Sequence, residues 1–104
     1  MAVAGIMSPM ERLDQMSVRA VQTMLEGQPL TEAKVTFAWK IAAGPALARA
    51  ARVSWSETGT LVVCAESGPW RLELVRAKAV IADRLRLLLG PDAVRRIQIP
   101  ERLP

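Results

Sequence analysis

The sequence predicts an α+β fold: a three-stranded mixed sheet packed with helices, in the order α-α-β-β-α-β. Three observations predict it. Two segments with apolar residues at helical spacing precede an alternating run at 51–57, which turns at Thr58-Gly59 and returns at 60–66. A third helical segment follows, and then a second alternating run at 94–99. Finally, Trp39 and Trp70 sit on the helices bordering the hairpin, a plausible core plan for a small sheet with an indole on each side.

The elements follow in chain order. Residues 1–7 lack the basic start and sustained apolar run of a secretory signal and read as a frayed end. Ser8-Pro9-Met10-Glu11 is a capping box with Pro at the first helical position. It opens an amphipathic helix over 8–27. Leu13, Met16, Ala20 and Met24 form its apolar stripe, with Arg12, Gln15, Arg19, Gln22 and Glu26 opposite, and Gly27 and Pro29 end it.

Thr31 can cap a second helix that runs to about residue 43, with Gly44 as its stop and Pro45 beyond. This helix is apolar nearly all round. Val35, Ala38, Trp39 and Ala42 make one stripe, and Phe37 and Ile41 lie on the other side. A short turn of helix fits 45–51.

Two registers are open to the hairpin. A three-residue loop with Gly59 at positive φ puts Val53, Trp55, Leu61, Val63 and Ala65 on one face; a two-residue loop puts Val62 and Cys64 with Trp55. The first is preferred, because Leu61 and Val63 then share the core with Trp55. Ser67 caps the third long helix, whose stripe is Trp70, Leu74, Ala77, Ile81, Leu85 and Leu88 and which Gly90-Pro91 ends. In the last strand Ile97 and Ile99 face inward, Arg96 and Gln98 outward. The intervening helix is long enough for the second and third strands to run parallel, in a right-handed crossover.

At 104 residues the chain is one domain, 1–104, able to bury a core without metal or disulfide staples. Its one cysteine, Cys64, has no internal disulfide partner and reads as a small buried hydrophobe in a reducing cytoplasm. No segment is long and apolar enough to span a bilayer. With no His or Tyr, and a lone Cys without a base, the chain lacks the usual catalytic and metal-binding constellations. It reads as a non-enzyme without metal or cofactor.

Fourteen Lys and Arg stand against ten Asp and Glu, so a polyanion partner fits the charge balance. The cations are spread rather than clustered. Arg49, Arg52, Arg71, Arg95 and Arg96 gather near the hairpin and form the candidate polyanion face, with Arg52 and Arg96 on the outer side of the sheet. No Asn or Gln cluster accompanies them, so backbone phosphates suit them better than base edges. The plain alternative is solubilising charge. The free N–H groups at the start of the third helix, with Arg71 nearby, could receive a phosphate, against simple capping by Ser67; Trp70 could stack on a base, against its place in the core stripe. Phe37 and Ile41 are the candidate partner surface, and burial beneath the first helix is their alternative.

Three segments together resemble the bacterial DciA-like family: Trp39 followed at four residues' distance by Gly44-Pro-Ala-Leu-Ala, then Gly59-Thr-Leu-Val-Val, then Ser67-Gly-Pro-Trp70-Arg-Leu-Glu-Leu74. The resemblance covers roughly 37–99, within a family-like core at 31–99. It implies a KH-like domain, with Trp39, Gly44, Trp70 and Leu74 of its motifs in structural roles, to which the hairpin reading adds Trp55. It also implies contact with the replicative DNA helicase in helicase loading; the basic balance and the arginines around the hairpin add an expectation of weak binding to single-stranded DNA. A protein-only adaptor and a small RNA-binding module remain the alternatives. Nucleic-acid-binding KH domains use a Gly-x-x-Gly loop. Neither Gly44-Pro-Ala-Leu nor Gly68-Pro-Trp-Arg supplies one, so strand binding here needs another surface. Family members often carry a flexible extension that engages the helicase; with the sequence stopping at Pro104, the expected contact is weak.

Overall fold

Helix α1 (Val18–Glu26) leads into α2 (Glu32–Ala43) and a single short helix, α3 (Pro45–Arg49). The hairpin β1 (Ala51–Trp55) and β2 (Thr60–Ala65) follows, then the long α4 (Gly68–Leu89) and β3 (Arg96–Gln98). The computed structural model describes residues 18–101. The expected frayed end, the capping box at Ser8-Pro9-Met10-Glu11, and Leu13 and Met16 of the first helix lie outside the described residues.

The helix ends follow from local chemistry. The Thr31 hydroxyl accepts the Lys34 N–H at 3.2 Å, and the Ser67 hydroxyl accepts the Trp70 N–H at 3.4 Å. Gly44 stops α2 at φ +85°, a conformation that favours glycine, and Pro45 then starts α3 in a new direction. Gly90 closes α4 with its N–H on the Arg86 carbonyl. Arg84 Nη1 donates to the Ala42 carbonyl at 2.9 Å, satisfying a C-terminal group of α2 that has no partner within the helix.

The sheet has the order β1-β2-β3, with β2 central, antiparallel to β1 and parallel to β3. Trp55 pairs with Leu61, Val53 with Val63 and Ala51 with Ala65, which is the register of the three-residue loop. Strand alternation therefore sends these six residues and Ile97 to one face. On that face α4 packs against β2 and β3, while α2 and α3 pack against β1.

The core joins the sheet to the helices. Leu61 and Val63 meet Val35, Ala38, Trp39 and Ala42 of α2 and Leu74, Ile81, Leu85 and Leu88 of α4 in one buried cluster. Each fully buried Leu or Val contributes roughly 1.5–3 kcal/mol. Trp39 is 2% exposed. Trp55, Trp70 and Ala77 are partly buried against the cluster. Trp55 also anchors its indole, donating from Nε1 to the Ala93 carbonyl at 2.8 Å.

Three details differ from the sequence expectation. In α1 the buried residues are Val21 and Leu25, whereas Met24 is 45% exposed and Ala20 lies at the surface. Both pairs recur at i, i+4; the observed rotation buries the two branched aliphatics and lets Gln22 Nε2 donate to the Leu87 carbonyl. Cys64 is half-buried rather than buried, since the register turns it to the face opposite the helices. Strand β3 is shorter than 94–99. The N–H groups of Arg95 and Arg96 both donate to the Gly59 carbonyl, at 2.7 and 3.1 Å, so the chain docks on the turn before the ladder begins.

Candidate nucleic-acid interface

The face of the sheet turned away from the helices is built by the same alternation that builds the core. It carries Arg52 and Ser54 from β1, Thr60, Val62 and Cys64 from β2, and Arg96 and Gln98 from β3. Its residues are exposed or half-buried. Arg52 stands opposite Cys64, and Arg96 stands beside Thr60. Two strand spacings across and four residues along, the Arg52 and Arg96 Cα atoms lie about 16 Å apart on a diagonal.

Arg49, at the end of α3, extends this face beyond the strand. It lines a shallow groove with Arg52, Ser54, Cys64 and Glu66. The Glu66 carboxylate partly offsets the positive charge at that end. Arg49, Arg52 and Arg96 are all exposed and make no ion pair among the described residues.

The other two candidate arginines lie elsewhere. Arg71 donates from Nε to the Pro100 carbonyl at 3.1 Å and from Nη2 to the Ile99 carbonyl at 3.0 Å. Its guanidinium fastens the chain after β3 to the start of α4. Arg95 lays its methylene groups on Gly59 and holds its guanidinium 4.0 Å from Asp92. The structure thus brings Arg49, Arg52 and Arg96 to one face that no described helix covers, ties Arg71 to backbone carbonyls, and leaves Arg95 exposed beside Asp92.

Chemically, this face suits anions. No aromatic residue lies on it: Trp55 points inward, and the sheet offers no stacking platform. Among the described residues no group of His, Cys, Asp and Glu could hold a metal ion. Arginine side chains on a pleated surface can meet phosphate oxygens without reading base identity.

Phe37 and Ile41 are half-buried and pack against the core, so part of each remains accessible. Sequence reasoning overlooked a more exposed apolar surface. Leu72, Val75, Val80 and Leu87 lie on the outer side of α4, 45–55% exposed. Its signal was available: α4 has more apolar residues than one buried stripe requires.

The family model described as "Dna[CI] antecedent, DciA" matches residues 12–99. The chain belongs to the DciA family. The match takes in α1 as well as the sheet and α4, and it sets this DciA-family domain in the context of DNA replication and helicase loading. Loaders and adaptors of this kind are generally not enzymes. No curated protein and no solved structure matches the chain. Among the described residues no helix is long and apolar enough to cross a membrane.

Proposed function

We propose that this DciA-family domain works in the bacterial cytoplasm as a non-enzymatic contact between the replicative DNA helicase and single-stranded DNA. The single observation that carries the DNA half is the pair Arg52 and Arg96, which among the described residues have no ion-pair partner and share a sheet face that no described helix covers. Family membership supports the helicase half. The α-β-β-α-β order from α2 onward, with α3 inserted as a short turn, supports a KH-like reading of the fold. In the absence of a Gly-x-x-Gly loop, the strand lies on the sheet and is held by its phosphates.

Binding of this kind is weak, indifferent to sequence and steeply reduced by salt, because each phosphate contact releases counterions. The helicase contact falls to the helical side of the domain, where Phe37 and Ile41 keep accessible apolar surface. A labelled domain titrated with the helicase of the same cell, followed by NMR, tests that half. Shifts on α2 support it; an unchanged spectrum at saturating helicase rejects it. Fluorescence anisotropy with labelled single strands of several sequences tests the other half. Absence of binding at low salt would favour a protein-only adaptor.

A further inference from the structure

The outer side of α4 carries exposed apolar side chains interspersed with Arg76 and Asp83, and near its C-terminal end Gln22 of α1 reaches the Leu87 carbonyl. Leu72 is 54% exposed, Val75 45%, Val80 51% and Leu87 55%, on a helix whose opposite stripe is already buried in the core. Helical spacing brings Leu72, Arg76, Ala79, Val80, Asp83 and Leu87 to one side. We propose that this face is a self-association surface on which α4 packs antiparallel against α4 of a second copy of the chain.

The order of residues along the face singles out that occupant. A two-fold axis through the midpoint between Ala79 and Val80 sets Leu72 opposite Leu87 of the second copy, and Ala79 opposite Val80. The same axis sets Arg76 opposite Asp83, twice. Both charged side chains are well exposed, 74% for Arg76 and 73% for Asp83. Each is paired only along its own helix, Arg76 with Glu73 and Asp83 with Arg86, and both pairs are exposed and weak. The face is thus complementary to its own inverse, as an isologous contact requires. A parallel arrangement would set Arg76 against Arg76 and is disfavoured. The small Ala79 at the axis lets the helices approach closely.

The contact is modest. One helix face against another falls at or below the low end of specific interfaces, about 1,200 Å² in total, so the dimer forms at high concentration and exchanges readily. The inner stripe of α4 packs on the sheet, so the dimer would turn its two sheet faces away from each other. Self-association stands whether or not those faces hold nucleic acid.

Sedimentation equilibrium on the full chain, from micromolar to millimolar concentration, tests the proposal. Wild-type mass should rise toward the dimer. Arg76→Asp and Asp83→Arg should each weaken self-association at least ~10-fold by juxtaposing like charges. An equimolar mixture of the two single variants, or the double variant, should recover it. Circular dichroism shows whether each variant is folded, and both positions are at the surface. A wild-type monomer at every concentration would overturn the proposal and assign the stripe to a different partner. A dimer indifferent to both single substitutions, or variants that do not rescue each other, would overturn it as well.

Discussion

A methyl group on Gly59 would lie 2.8 Å from the Arg95 Cγ. Gly59 also has φ +94°, and its carbonyl receives the N–H groups of both Arg95 and Arg96. The hairpin turn and the start of β3 therefore need the same atom to be missing. Gly59→Ala adds left-handed backbone strain to a steric collision and should destabilise the domain by about 2–4 kcal/mol. Urea denaturation measures the loss. Arg95→Ala in the same background should recover most of the steric part, since only the Cβ contact at 3.2 Å then remains.

The tryptophans differ in burial, so their truncations should differ in cost. Trp39→Ala empties the middle of the core and should cost about 3–5 kcal/mol. Trp70 is only partly buried, beside Ala46 and Arg49, and Trp70→Ala should cost on the order of 2 kcal/mol. Thermal denaturation of both variants checks the order. Equal losses would mean that Trp70 carries more of the packing than its exposure suggests.

Nucleic-acid binding is read best through its salt dependence. If Arg52 and Arg96 each meet one phosphate of a single strand, Arg52→Ala together with Arg96→Ala should lower the slope of log K against log salt by about 1.4. The loss should be the same for every sequence. Fluorescence anisotropy over a salt series measures it, and an unchanged slope would move the binding face elsewhere.

Arg71 should behave differently from those two. Its guanidinium is committed to the carbonyls of Ile99 and Pro100. Arg71→Gln should speed amide exchange around β3, while the salt slope of DNA binding stays unchanged.

Glu32 supplies an acceptor that β1 lacks. The hydrogen bonds from Ser56 N–H to the Thr60 carbonyl and from Glu66 N–H to the Ala50 carbonyl fix the alternation of the ladder. That alternation turns the Trp55 N–H to the open edge, where Glu32 Oε2 accepts it at 3.2 Å. Glu32→Ala should cost about 1 kcal/mol and raise the exchange rate of the Trp55 amide. Hydrogen exchange by NMR resolves that single site.

Much of this was legible in the residues. Caps at Thr31 and Ser67 and stops at Gly44 and Gly90 rest on local chemistry, the hairpin register on the need to bury Leu61 and Val63 with Trp55, and each is observed. The orientation of α1 was not legible, because Ala20 with Met24 and Val21 with Leu25 obey the same period. Only packing on α4 separates them. For the arginines, strand alternation located Arg52 and Arg96 correctly on the outer face. It said nothing of Arg71, whose partners are backbone carbonyls 28 and 29 residues away.

The double acceptance at the Gly59 carbonyl has a consequence in time. The hairpin closes within a few residues, whereas β3 can reach its partner only after α4 has brought the chain back. Its first docking point, that carbonyl, is aimed only once the turn has formed. Folding is therefore expected to run in one direction, turn before final strand. The Trp55 indole, fastened to Ala93 just ahead of β3, sits where its fluorescence can time the last step.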